Sequence, residues 1–95
     1  RTCSDEVEAK EIATMLLKKK LAACIQITDV ESLYVWKDEI CNDCEKLLSI
    51  KTKKENFEKI KRKIKEIHSY DLPEIICIDI TDASKKYIKF IDENS

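Results

Sequence analysis

Glycine is absent from this 95-residue sequence, although globular proteins usually contain about 7% of it. The Gly-rich turns that hold phosphates in dinucleotide-binding and P-loop proteins therefore have no counterpart in the chain. Proline, histidine and tryptophan occur once each. The nucleotide chemistry of those two protein classes is excluded.

Long apolar runs and an excess of one charge are also lacking. Apolar runs such as 75–78 are far shorter than the roughly 18 to 20 residues that cross a bilayer, and no signal-peptide core follows Arg1. Lys and Arg total 18 against 19 Asp and Glu, so the formal net charge is −1. We therefore expect a cytoplasmic protein whose partners include neither nucleic acid nor a membrane.

Charged residues are abundant, at 39% of the chain, beside an ordinary hydrophobic fraction of 43%. This composition predicts one soluble domain over residues 1–95, with a thin core and an ionic surface. The five cysteines cannot all pair within one chain, which favours a reducing compartment. Cys24 and Cys77 lie in apolar, strand-like segments and are expected to be buried.

Three segments have the apolar spacing of amphipathic helices. Asp5 and Glu8 resemble a capping box for the first, Thr52 and Glu55 form one for the second, and Ser84 is expected to cap the third. The predicted apolar faces comprise Ala9, Ile12, Ala13, Leu16 and Leu17, then Phe57, Ile60, Ile64 and Ile67, and finally Tyr87, Ile88 and Ile91.

Short segments rich in β-branched and aromatic residues predict strands at 24–27, 33–36 and 47–51, and a buried strand at 74–81. A hairpin turn is expected near Asp38, because Asp tolerates positive φ. The element order matches an α+β split βαβ arrangement, an antiparallel sheet with helices on one face, whose first strand is largely missing. No element remains for the far face, so we expect that face to be buried by self-association.

Four segments resemble, in order and spacing, the signature of the CutA family of divalent-ion tolerance proteins. They are 21–27, 32–36, 50–52 and 68–76. The resemblance implies a ferredoxin-like domain in a tight homotrimer, without enzymatic activity and linked to divalent-cation (copper) tolerance. It also implies an intersubunit cleft lined by Trp36, Lys51, His68, Tyr70 and Glu74.

Two metal candidates follow. His68 either interacts with the terminal carbonyls of the second helix or, as the resemblance implies, binds a divalent metal such as Cu or Zn. Some family members carry a metal-binding Cys near the end of the first strand, and Cys3 lies two residues beyond that place. No cofactor is required.

Other residues have competing interpretations. Tyr34 and Trp36 suit a core or a subunit interface as well as a pocket wall. Cys41 and Cys44 have the spacing of a metal clip or redox pair, but in a regular strand they point to opposite faces, which favours two free thiols. The basic stretch 59–65 is interpreted as a solvated helix face.

Two functions are therefore weighed for the predicted trimer. The first is a non-enzymatic protein that binds metal or a small ligand in the cleft between subunits. The alternative is a scaffold that presents surfaces to other proteins. An enzyme is disfavoured, because no Ser-His-Asp set, paired catalytic carboxylates or cofactor motif can be assembled from the sequence.

Overall fold

A computed structural model describes residues 6–67 and 74–95 of the chain. Within these residues two strands form an antiparallel sheet, and the protein is of the α+β class, as predicted. The elements are α1 (Glu6–Lys18), β1 (Cys24–Trp36), β2 (Glu39–Lys51), a 3-10 turn (Lys54–Asn56), α2 (Phe57–Ile67) and α3 (Lys85–Asn94). No described helix has both the length and the apolar character needed to cross a membrane.

The sheet is one long hairpin of two 13-residue strands. Pairing runs one-to-one from Cys24 opposite Lys51 to Trp36 opposite Glu39. The three segments predicted as strands are therefore all strand, but they belong to two continuous strands rather than three. The polar residues that suggested an interruption remain in the ladder, where Lys46 pairs with Asp29 across the strands. Polar side chains in this stretch do not interrupt the ladder, because its hydrogen bonds are made by the backbone.

The hairpin turn lies where it was predicted. Lys37 has φ 50° and Asp38 has φ 65°, so both central residues of this two-residue turn are left-handed. That backbone belongs to the type I′ turn, whose twist matches the twist of paired strands. Asp38 thus occupies a turn position with positive φ at which glycine is usual.

Helix α1 also ends without glycine. Lys20 has φ 55°, the Leu21 amide donates to the Leu16 carbonyl at 2.9 Å, and the Lys20 amide donates to the Leu17 carbonyl at 3.1 Å. These two bonds form a Schellman motif with Lys20 in the left-handed position. The motif turns the chain sharply from α1 towards β1.

The core lies at the open end of the hairpin. The helix face of the sheet consists of odd-numbered residues of β1 and even-numbered residues of β2, and the outer face consists of the others. Ile25, Leu48 and Ile50 of the helix face pack against the buried core cluster. That cluster comprises Ile12, Leu16, Ala22, Ile60 and Ile64.

The hairpin tip, residues 33–41, extends beyond the helices. Leu33, Val35 and Ile40 belong to the helix face, yet Val35 is 72% and Ile40 80% exposed. Tyr34 and Trp36 are exposed on the outer face of the same tip. Both faces of the tip therefore present apolar side chains.

The capping box predicted at Thr52 is wrong. The cap position before the 3-10 turn is Lys53, which makes no side-chain hydrogen bond as a cap. The Thr52 hydroxyl instead donates to the Leu21 carbonyl at 2.6 Å, and the buried Asn56 amide donates to the Thr52 hydroxyl at 3.0 Å. The Thr52 hydroxyl thus donates to a distant carbonyl and does not accept from a backbone N–H of the next helix, since a buried carbonyl needs a partner.

The apolar helix faces were predicted correctly at their centres and incorrectly at their edges. Ala9, Ile12, Ala13 and Leu16 are buried, as are Ile60, Ile64 and Ile91. Leu17, Ile67 and Ile88 are exposed, because the two-stranded sheet is too narrow to cover the flanks of the helices. The Ser84 cap is confirmed by the hydrogen bond from the Tyr87 amide to the Ser84 hydroxyl at 3.3 Å.

The buried strand predicted at 74–81 is not formed. The segment has no regular secondary structure, and Ile76, Ile78 and Ile80 are exposed, whereas Ile75 packs against the core. A strand needs a neighbour to accept its backbone hydrogen bonds, and in the described part of the chain both strands pair only with each other. Cys77 is consequently exposed rather than buried.

Candidate functional site

The residues proposed to line the cleft are distributed over the whole length of the hairpin. Trp36 ends β1 beside the turn, and Lys51 ends β2 at the opposite extremity. His68 and Tyr70 lie outside the described residues, as does Cys3 of the metal hypothesis. Glu74 is exposed and precedes Ile75, which packs against the core.

Trp36 and Lys51 share the outer face but cannot share a cleft within one copy of the chain. Trp36 pairs with Glu39 and Lys51 pairs with Cys24, so twelve residue steps separate the two positions along the ladder. At the usual rise per residue this separation is about 40 Å. A cleft that contains both side chains therefore requires two copies.

At the tip, the outer face is organised by a tyrosine–carboxylate pair. The Tyr34 hydroxyl donates a hydrogen bond to the Asp43 carboxylate, and the next pair along this face is Ser32, which donates to Glu45 at 3.2 Å. The bond to Asp43 is the main cause that raises the pKa of Tyr34 to about 12. Lys37 Nζ lies 5.9 Å from the centre of the Trp36 ring.

The Tyr34–Asp43 pair can be tested by titration. We expect one tyrosine of the native protein to ionise near pH 12 in ultraviolet absorbance, and Asp43→Asn to return it towards the reference value of about 10. Because the folded-state pKa is raised, the bond contributes stability below about pH 10 and loses it as pH rises through about 12. Tyr34→Phe identifies the signal, and an unchanged profile in Asp43→Asn would contradict the pair.

At the other end of the outer face, Lys51 is held in place by backbone and side-chain contacts. Lys51 Nζ donates to Gln26 Oε1 at 2.8 Å, and the Lys51 carbonyl accepts from the Ala23 amide at 2.9 Å. The next residue, Thr52, is bonded to the Leu21 carbonyl as described above. The strand end that carries Lys51 is therefore fixed to the loop after α1.

Tyr87 is a neighbour of this end that the sequence did not indicate. Desolvation, followed by a hydrogen bond with the Cys24 thiol, raises the pKa of the Tyr87 hydroxyl. Cys24 pairs with Lys51 in the register, so α3 brings a phenol to the strand end opposite Lys51. Helical periodicity placed Tyr87 on an apolar face, and no local pattern pointed to Cys24.

The two hairpin cysteines do not converge. Both lie in the unbroken strand β2, where Cys41 pairs with Tyr34 on the outer face and Cys44 pairs with Glu31 on the helix face. Cys41 is a free thiol, whereas Cys44 is disulfide-bonded, so the interpretation as two free thiols is wrong for Cys44. In the described ranges, no group of three or more His, Cys, Asp or Glu residues could hold a metal ion.

The sequence of this chain is similar to those of known proteins. The family model described as CutA1 divalent ion tolerance protein matches residues 1–94. The divalent-cation tolerance protein CutA of Thermus thermophilus is 36% identical over 95 residues, which are 99% of this chain and 92% of that protein. The chloroplastic protein CutA of Arabidopsis thaliana is 34% identical over 99% of this chain and 52% of its own length.

A solved structure agrees with these sequence matches. The periplasmic divalent cation tolerance protein CutA of Archaeoglobus fulgidus superposes with a TM-score of 0.93 at 36% identity, covering 97% of this chain and 90% of that one. A chloroplastic and a periplasmic relative show that kinship alone does not assign a compartment. From matches over nearly its whole length, in sequence and in structure, this chain belongs to the CutA1 family of divalent ion tolerance proteins.

Proposed function

We propose that the protein acts in divalent-cation tolerance as a cytoplasmic homotrimer that catalyses no reaction and binds a metal ion or small ligand between its subunits. The observation that carries this proposal is the separation of Trp36 from Lys51 on one face of the hairpin. Side chains about 40 Å apart can form one site only when copies place their opposite hairpin ends together. A monomer would carry Trp36 and Lys51 at separate ends of the hairpin and could not form the site.

The hairpin tip supplies a reason for the copies to associate. Val35 and Ile40 face each other across the strands and remain largely exposed, and exposed Leu33 extends the same surface. Burying such side chains stabilises an assembly by about 1.5 to 3 kcal/mol for each of them. A closed ring also covers strand edges, which an open dimer of hairpins would leave available for further pairing.

His68 is the proposed metal ligand, with Glu74 of a neighbouring copy as an oxygen ligand beside it. A neutral imidazole and a carboxylate suit Zn(II) or Cu(II). Cys3 is the alternative ligand, as a thiolate in the reduced protein. Trp36, Tyr70 and Lys51 then form the walls of the cleft around the ion.

Calorimetric titration with Zn(II) and Cu(II) tests this site. We expect binding by the wild type, a loss of at least tenfold in affinity for His68→Ala, and weaker binding as pH falls below about 6.5, where imidazole becomes protonated. Cys41→Ser is the control, because that thiol faces away from the position of Cys44. Cys3→Ser tests the thiolate alternative.

The outcomes separate the hypotheses. Retained affinity in His68→Ala together with a loss in Cys3→Ser or Cys41→Ser would move the site to a thiolate and refute the His68 assignment. Equal affinity in every variant would exclude His68, Cys3 and Cys41 as ligands. The scaffold function would then be favoured, and the exposed apolar hairpin tip is the feature of the chain that supports it.

A further inference from the structure

We infer that the cleft between α1 and α2 is a binding site for a small oligophosphate, distinct from the proposed metal site. Its lining is Lys19 and Leu21 from the end of α1 and the loop that follows, and Lys59, Arg62, Lys63 and Glu66 from α2. The stretch 59–65 looked like a solvated helix face in the sequence. That face is solvated, and the tertiary structure places three of its five cations, Lys59, Arg62 and Lys63, around a cleft with Lys19 of the turn after α1.

The α2 lining residues follow helical geometry. Lys59, Arg62, Lys63 and Glu66 are spaced by three, four and seven residues, so they share one side of the helix. Ile60 and Ile64 occupy the buried side. The Schellman motif after α1 brings Leu21 to the cleft, where its side chain forms an apolar wall between basic residues.

Charge distinguishes this cleft from the rest of the surface. Four cations and one carboxylate line it, which leaves a net charge of +3 in a chain whose total is −1. Some other lysines are paired, as Lys61 is with Glu58 at 3.0 Å and Lys54 with Asp79 at 3.8 Å. Of the cleft cations, only Lys63 has an ion-pair partner among the described residues, Glu66 at 3.8 Å.

Unpaired cations around a concavity favour a multiply charged anion. Lys19, Lys59 and Arg62 can each donate to phosphate oxygens, and the planar guanidinium can do so through two parallel bonds. The cavity volume of about 340 Å³ falls within the range of small-molecule sites. No lining residue is aromatic, so the cleft recognises phosphates rather than stacking a nucleobase.

Titration calorimetry of the full chain with inorganic triphosphate tests the inference. We expect triphosphate to bind more tightly than orthophosphate and the affinity to fall as salt is raised, because the groups are exposed. The double variant Lys59→Gln/Arg62→Gln should bind roughly tenfold more weakly or worse, since two charge-assisted contacts are lost. Lys19→Gln, on the other side of the cleft, should weaken binding independently.

The matched control is Lys61→Gln/Lys65→Gln, which also removes two positive charges from α2, but from the side of the helix away from the cleft. Gln is a good helix former, so both double variants should keep the circular dichroism of the wild type. Cleft variants that weaken triphosphate while the control does not would support the site. The site would be refuted if both double variants weakened triphosphate binding equally, or if the wild type did not bind triphosphate. It would also be refuted if citrate bound as tightly as triphosphate, or if an oligonucleotide bound and triphosphate did not.

Discussion

Val35→Lys/Ile40→Glu is expected to dissociate the assembly into monomers at micromolar concentration. The two positions are directly opposite in the register and are exposed in a single copy, so the new charges form a cross-strand pair and the hairpin survives. In an assembly, the same change removes two apolar side chains from the interface, at about 1.5 to 3 kcal/mol each, and adds charges that lose water on burial. Sedimentation equilibrium measures the outcome.

Val7→Lys is the control for this variant. Val7 is an exposed apolar residue of α1, far from the hairpin turn in the sequence. Its replacement should leave the molecular mass at the wild-type value. A wild type that sediments as a monomer would refute the association, and a trimer that persists in Val35→Lys/Ile40→Glu would show that the hairpin tip is not part of its interface.

Leu16→Ala is expected to lower the free energy of unfolding by about 2 to 5 kcal/mol. Leu16 is the one described side chain of large volume that is fully enclosed, at 0% exposure, and it packs with Ile12 of α1 and Ile60 of α2. Truncation removes its transfer free energy and leaves a cavity that the surrounding backbone cannot fill. For a domain of this size the melting temperature should fall by roughly 4 to 8 °C per kcal/mol.

The adjacent Leu17→Ala controls for helix propensity and residue type. Leu17 is 42% exposed, so the same truncation should change the unfolding free energy by much less. Both variants are compared by chemical denaturation at one protein concentration, because association contributes to the measured stability. Equal losses in the two variants would contradict the assignment of the core to Leu16.

The centres of the helices could be predicted from the sequence. Ile12 and Leu16 in α1, and Ile60 and Ile64 in α2, recur at helical spacing, and burial of one stripe on a sheet follows from that period. The turn at Asp38 and the cap at Ser84 were likewise determined locally, since each depends on the backbone of two or three residues. The order of the predicted elements supplied the fold class, and the family signature agreed with it.

Features that depend on distant partners could not be predicted in this way. Thr52 bonds to Leu21, which lies 31 residues earlier, rather than capping the next helix. The segment 74–81 has the composition of a strand but has no pairing strand in the described structure. A hydrogen-bonded ladder needs two participants, and the pattern of one segment cannot supply the second.

The same distinction applies to the sites. The sequence by itself determined which residue types are available: one histidine, one tryptophan, a basic stretch at 59–65 and no glycine for a phosphate loop. Only the tertiary structure decided which of the described residues lie close together in space. It placed Trp36 and Lys51 at opposite ends of one hairpin face, and it joined Lys19 to Arg62 around a basic cleft, because packing of helices on the sheet brings together residues far apart in sequence.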